Sequence, residues 1–438
     1  MINRACNPCD NVQTSALIED CRKRTQDEVN YKKIYTLDNG KEVVYFHSSN
    51  IDIVRVDFLY PNNNNSDWQP LKALMANKMI TEGTSKHTSQ EIAEILDSRG
   101  VYIDKTVDVT SANVSVMMLK KHVDYILPLL YDMLTDAQFP ENEYNVILNK
   151  TKQNFLNQMM KNAYVARREF YKAIFGEQHP CGRFIEEADF AALAIEDLKA
   201  IYRNTYALEK CEIFLSGNIT DDVLKTMNAV FGSCRLGASS EVVSFPEKAI
   251  YVPQKRYIER PDSVQSTVRI GKFETDDSLQ NDVVTLSELT IANTVLGGYF
   301  GSKLIKNVRE DKGYCYSIHS MLEYRKDCSI FFITTDVGKE VKDNAAEEIY
   351  KELDDLCTKP ISQEELAVVK NYLVGDFIRN IDGVFEVAER CKLMSISGFP
   401  TNFNSVYLDT LENITPQRIC EVANKYLGKE TMSQIIVG

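Results

Sequence analysis

Five histidines, His47, His87, His122, His179 and His319, are the first residues to weigh for metal chemistry, and each stands more than thirty residues from the next. A chelate legible in sequence places two ligands on one turn or one loop, so none of the five forms a local site. His179 before Pro180 reads as a loop residue, His122 beside Lys120 and Lys121 as solvated, His87 as preceding a helix, and His319 as ending a strand. Cys6 and Cys9 have the spacing of a zinc ribbon or a redox pair. No second pair follows and only Cys21 is near, so they read as part of a mobile tail. Gly297-Gly298, followed by Gly301, lacks the lysine and hydroxyl residue of a phosphate loop and misses the dinucleotide spacing. Ser216-Gly217 lacks the context of a nucleophile elbow. Arg309 and Tyr316 are donors of another kind: a guanidinium fork can anchor a carbonyl, and a phenol can donate to an oxyanion. Read on their own, Arg309 pairs with Glu310 or Asp311 and Tyr316 is a half-buried strand aromatic.

The elements that must position these groups occur twice. Residues 201–217 describe a helix end, a polar turn and a strand closing on Gly217, and residues 422–438 repeat that grammar up to Gly438. The same offset lays residues 139–150 over 360–371. A slightly smaller one lays Ala76-Asn77 over Ala292-Asn293 and Gly100 over Gly313. In each copy, short alternating or apolar runs (EVVYFH, IVRVDFLY, ANVSVMML; STVRIGKF, CSIFFITTDV) read as strands. LKALMANKMITEG and SQEIAEILDSRG have helical spacing, the second capped at Ser89. The pattern predicts an α+β fold of two homologous halves, each a mostly antiparallel sheet with helices on one face. The boundaries read as an N-terminal extension over 1–30, a first half over 31–236, a polar linker over 237–261 carrying Pro246 and Pro253, and a second half over 262–438.

Composition narrows the function. A chain of 438 residues with 44% hydrophobic content can bury two or three cores. Sixty-three acidic against fifty basic residues leave a charge of −13, which repels phosphate backbones and anionic lipid, so neither nucleic acid nor membrane is an expected partner. No apolar run approaches the roughly 20 residues of a membrane span, and Met1 to Cys21 is polar, so the expected location is cytoplasmic. The eleven cysteines, odd in number and without a framework, read as reduced thiols.

Four segments in order resemble the pitrilysin and insulinase peptidases, particularly the mitochondrial processing peptidase branch. They are YTLDNGKEVVYF (35–46), MITEGTSKHTSQEIAEILDSRGVYIDKTVD (79–108), LYDMLTDAQFPENEYNVILNKTKQ (130–153) and LGGYFGSKLIKNVREDKGYCYSIHS (296–320). Active members carry an inverted His-x-x-Glu-His helix, two histidines on one face binding zinc and the glutamate acting as base. The resemblance places those positions at Leu74, Asn77 and Lys78, and the distal glutamate ligand at Lys150. An alkyl group and two ammonium groups offer a metal no lone pair. No cofactor is therefore expected on this chain. The resemblance also implies that Arg309 and Tyr316 reach across a cavity towards a zinc site, and that Gly297 and Gly298 let the backbone run close to substrate or to the opposite half. Bacterial relatives divide the labour between two subunits, which implies a zinc-bearing homologous partner in a heterodimer, or a homodimer, acting on peptide substrates. The alternative is a non-enzymatic peptide-binding or assembly subunit, as in the core subunits of cytochrome reductase.

Overall fold

The computed structural model describes residues 15–23, 32–61, 68–234, 237, 251–274, 279, 282–324 and 329–438. The first half contributes β1 (Lys32–Thr36), β2 (Glu42–His47), β3 (Ile53–Pro61), β4 (Tyr102–Val107), β5 (Ser111–Leu119) and β6 (Glu212–Gly217). The second contributes β7 (Lys255–Ile258), β8 (Gln265–Phe273), β9 (Cys315–Glu323), β10 (Ile330–Gly338) and β11 (Ser433–Val437). They form two sheets, ordered β1-β2-β6-β3-β5-β4 and β7-β11-β8-β10-β9. Within each, only one pair is parallel, β2 with β6 and β7 with β11. The second sheet thus repeats the last five places of the first. Gly100 and Gly313 precede the two edge strands β4 and β9 with φ of 61° and 65°, a left-handed turn that favours glycine.

Alternation along the strands divides each sheet into two faces. Val54, Val56, Phe58 and Tyr60 of β3 point into a core shared with helices Pro70–Met79, Val123–Thr135 and Asp221–Phe231. Val268 and Ile270 of β8 point into the equivalent core of the second half, with helices Val283–Asn293, Lys342–Thr358 and Pro416–Tyr426.

The opposite faces are covered by exchange. Helix Val384–Ser397 of the second half lays Val387 and Ala388 on Phe46, Leu59 and Phe214 of the first sheet. Helix Asn162–Phe175 of the first half lays Phe170, Tyr171 and Ile174 against Phe273, Ile330, Phe332 and Ile435 of the second. Each half's own helices cover one face, as the pattern predicts, and the other half supplies the cover for the second.

Three local readings change. Residues 15–23 are helical and docked, not loose: Ile18 and Cys21 are buried in the second-half core, and Arg22 Nη2 lies 2.6 Å from Asp409 and 2.7 Å from Glu412. Cys6 and Cys9 lie outside the described residues. The segment expected as linker carries β7, paired with β11 along Lys255–Ile258. The helix Ser89–Ser98 is capped by Thr88, whose hydroxyl accepts from the Glu91 amide while Glu91 accepts from the Thr88 amide.

Candidate functional site: a filled half and an open half

Helix Pro70–Met79 carries three of the four positions where zinc chemistry is expected. It begins with Pro70 at its first turn and packs against helix Ile195–Thr205 and edge strand β4. Leu74 and Lys78 are half-buried, and Asn77 is buried. The Asn77 amide donates to the Tyr206 hydroxyl at 2.7 Å and to the Thr106 carbonyl of β4 at 3.3 Å. Burial pushes the Tyr206 phenol up, opposed by the Asn77 bond, so it remains a neutral acceptor. Lys150 is exposed on helix Glu141–Met159.

One residue of this region escapes the sequence reading. Lys105 of β4 turns towards the helix end, where its ammonium donates to the Lys78 carbonyl at 2.8 Å and to Thr81 Oγ1 at 2.7 Å. Burial lowers it to about 8, with Glu82 opposing the shift and Lys78 adding to it. The signal was present in the strand's alternation, because Ile103, Lys105 and Val107 share the half-buried side of β4 while Tyr102, Asp104 and Thr106 are exposed.

These residues do not fit a zinc ion. Leu74 has no donor atom, Lys78 and Lys105 put positive charge into the region, and the Asn77 amide is committed to Tyr206 and Thr106. Among the described residues no group of three or more His, Cys, Asp or Glu side chains comes together to hold a metal. The histidines have other surroundings: His179 Nδ1 accepts from the Cys181 amide at 3.1 Å and its ring stacks on Phe175. Burial and the nearby Arg269 lower His319.

The second half is arranged differently. Helix Val283–Asn293 runs into a π-helical turn at Thr294–Gly298, and a second wide turn spans Ile305–Asp311. Gly297 is required by packing, since a Cβ there would stand 2.7 Å from both the amide nitrogen and the hydroxyl of Ser320 on β9. Its close neighbour is thus an edge strand of its own half. At Gly298, the carbonyl accepts from Tyr372 at 3.5 Å.

Arg309, on the second wide turn, pairs with neither Glu310 nor Asp311. Its guanidinium lies 4.9 Å from the Phe300 ring and 5.5 Å from the Tyr316 ring. On β9 the register slips, Thr335 pairing with Ile318 and Val337 with Cys315, so Tyr316 and Ser317 together oppose Asp336. A bulge of this kind re-aims side chains. Tyr316 is accordingly 87% exposed and Phe300 65% exposed, in place of the half-buried aromatic that the strand pattern alone suggests. Among the described residues, no hydrogen bond, ion pair or ring contact joins Arg309 or Tyr316 to Leu74, Asn77, Lys78 or Lys150.

Comparison with known proteins follows the same two parts. Residues 73–182 match the family described as insulinase, peptidase family M16, and residues 192–373 match the M16 inactive domain. The chain belongs to peptidase family M16. Among M16 relatives, it is 24% identical over 359 residues to the uncharacterized zinc protease YmxG of Bacillus subtilis, covering 80% of this chain and 84% of that one. It is 20% identical over 353 residues to the non-peptidase homolog YmxG of Helicobacter pylori, covering 78% of each. A solved structure described as the peptidase M16 inactive domain from Pseudomonas fluorescens superposes with a TM-score of 0.80 at 18% identity, over 93% of this chain and 98% of that one. The protein is thus an M16 homologue with no ligating side chain at the expected zinc positions Leu74, Lys78 and Lys150. Among the described residues no helix is long and apolar enough to cross a membrane.

Proposed function

We propose that this chain is the metal-free subunit of a two-chain M16 peptidase, in which Arg309 and Tyr316 complete a zinc site held by a homologous partner. The observation that carries the reading is the opposite condition of the two halves. The first-half position is closed by Asn77, Tyr206 and Lys105, whereas the second half holds Arg309 and Tyr316 outward beside Phe300. Stacking against two rings pre-orients the guanidinium for a carbonyl, and the exposed phenol is free to donate to an oxyanion. Peptide substrates would add as an extra strand to an open sheet edge, such as β9, which carries Tyr316, or β4, which meets Asn77 through Thr106.

The test is reconstitution. The chain is purified with and without an M16 homologue from its own source that has an intact His-x-x-Glu-His helix, and zinc content and peptide cleavage are measured. The expected outcome is an inert, zinc-free isolated chain and an active mixture. Tyr316→Phe should lower the turnover of that mixture by about 10²–10³, the usual effect of removing one oxyanion donor. Arg309→Ala should chiefly weaken substrate use. If the isolated chain cuts peptides, or if mixing yields no activity, the divided-site reading fails. The second result would leave a non-enzymatic peptide-binding subunit, in line with the non-peptidase description of the Helicobacter relative.

A further inference from the structure

Among the described residues, Arg269 is a charge without an evident counterpart. It sits on β8, is only 7% exposed, and its Nε is buried without a hydrogen-bond partner. Its guanidinium lies 3.9 Å from the Phe332 ring, 5.2 Å from Phe170 and 5.8 Å from Tyr171. No described residue forms a hydrogen bond or an ion pair with it. Stacking offsets part of the cost of desolvating a guanidinium, but the buried Nε–H remains without an acceptor.

The strand register says what lies beside it. Arg269 pairs across the sheet with Thr334 of β10, and Thr334 with His319 of β9, so the three form one row on the same face. Neighbouring residues in such a row have Cβ atoms about 5 Å apart, which sets the half-buried Thr334 between two nitrogen-bearing side chains. His319 keeps part of its surface in solvent, and its imidazole is depressed by partial burial and then by Arg269, which places the two groups within electrostatic reach of each other. Both nearby carboxylates have other partners: Glu323 accepts from the Tyr171 hydroxyl at 2.8 Å, and Asp336 from the Thr267 hydroxyl. Burial is the main cause that lowers Arg269, and Arg167 adds a second positive charge close enough to act in the same direction, against Tyr171 and Glu323. The row itself carries one cation, an imidazole and a hydroxyl, with Arg167 of the covering helix as a second cation and Glu323 as the carboxylate that acts on Arg269 from farther along β9.

Position supplies the connection with function. His319 lies three residues along β9 from Tyr316, about 10 Å in an extended strand. Any peptide lying along that edge with a backbone group at Tyr316 would carry another side chain, or its own C-terminus, past His319.

We propose that Arg269, Thr334 and His319 form a carboxylate-binding subsite for a captured peptide, selecting a Glu or Asp side chain or the peptide's C-terminal carboxylate about three residues from the group held at Tyr316. The assignment rests on the peptide-capture reading above and names the substrate class within it: acidic segments or chain ends. A carboxylate there would receive charge-assisted bonds from the Arg269 fork, with Thr334 and His319 as further donors.

Two probes test it on the full chain. The first is sodium acetate, followed through the His319 imidazole resonance, which is identified by its loss in His319→Gln. A saturable shift is expected in the wild type and none in Arg269→Met, whose aliphatic stem keeps the stacking on Phe332. The second is one extended eight-residue peptide made in four forms, with Glu or Gln at one position and with a free or amidated C-terminus. Blocking the recognised carboxylate should weaken binding at least about tenfold in the wild type, and which form weakens identifies the source of the carboxylate. The preference should vanish in Arg269→Met and survive in part in Arg269→Lys, which also serves if the methionine variant does not fold. Equal binding of all four peptides, or an acetate titration that leaves His319 unmoved, overturns the subsite while leaving peptide capture standing. Acetate binding with no binding of any peptide overturns peptide capture, and the peptide assignment of the subsite falls with it.

Discussion

Asn77 stands where the sequence resemblance puts the glutamate base of active M16 members, and its amide ties helix Pro70–Met79 to Tyr206 and to strand β4. The second half repeats the device: Asn293, the counterpart of Asn77, donates to the Ser320 carbonyl of β9 at 3.5 Å. An asparagine at this point of the duplicated fold is therefore a clamp between helix and edge strand. Asn77→Ala leaves the Tyr206 hydroxyl buried without its donor and should cost about 1–3 kcal/mol in urea denaturation. Adding Tyr206→Phe should recover part of that loss, which a clamp acting only on Thr106 would not allow. Lys105 supplies a test in pH. Its folded value near 8 lies below the usual 10.5, so between those values the unfolded chain holds more protons and stability rises with pH. The wild type should thus gain on Lys105→Met as pH is raised from 8 to 10.5, and a parallel pair of curves would contradict the burial of this ammonium. The non-ligating character of Leu74 and Lys78 was legible in the sequence because it is a property of residue type. The Asn77 and Lys105 bonds were not, because their partners lie 129 and 27 residues away along the chain.

At the scale of elements, the duplication was readable from two offsets and the matching glycines. The exchange of helices was not. Periodicity reports that helix Asn162–Phe175 has apolar residues on more than one side, with Phe170, Tyr171, Ile174 and Phe175 all buried, but not which sheet receives them. The same limit hides the polar contact in the mirror position. There, Lys392 of helix Val384–Ser397 lies 3.0 Å from Asp57 of β3 and 2.9 Å from Glu389, while Arg55 lies 2.9 Å from Asp57 and 2.6 Å from Glu389. Asp57 and Lys392 are both almost fully buried, so their contact offsets part of the cost of taking each out of water. Lys392→Met removes one cation from this group and should cost about 3 kcal/mol, the lower part of the range for breaking a buried pair, because Arg55 still holds Asp57. A double-mutant cycle with Asp57→Asn should show strong coupling; additive losses would mean that the helix is held by Val387 and Ala388 alone.

For the whole molecule, these two crossings make the halves one body. Phe170 lies against Phe332 with ring centroids 6.3 Å apart, and Tyr171 reaches Glu323, so the first half is anchored in the second sheet. Val387 and Ala388 with Lys392 anchor the second half in the first sheet. Aromatic and aliphatic burial on both sides contributes about 1.5–3 kcal/mol per side chain, which exceeds what a single covalent connection adds by holding the halves near each other. A protease site engineered into residues 238–250 and cleaved should therefore yield a nicked protein that elutes from gel filtration at the position of the intact chain, separating only in denaturant. Nicking combined with Phe170→Ala and Val387→Ala should release the halves, since both crossings are then weakened. If the nicked wild type separates at once, the exchange is too weak to keep Arg309 and Tyr316 at a fixed place relative to the first half. A partner subunit would then meet two independently moving domains and not the single surface proposed here.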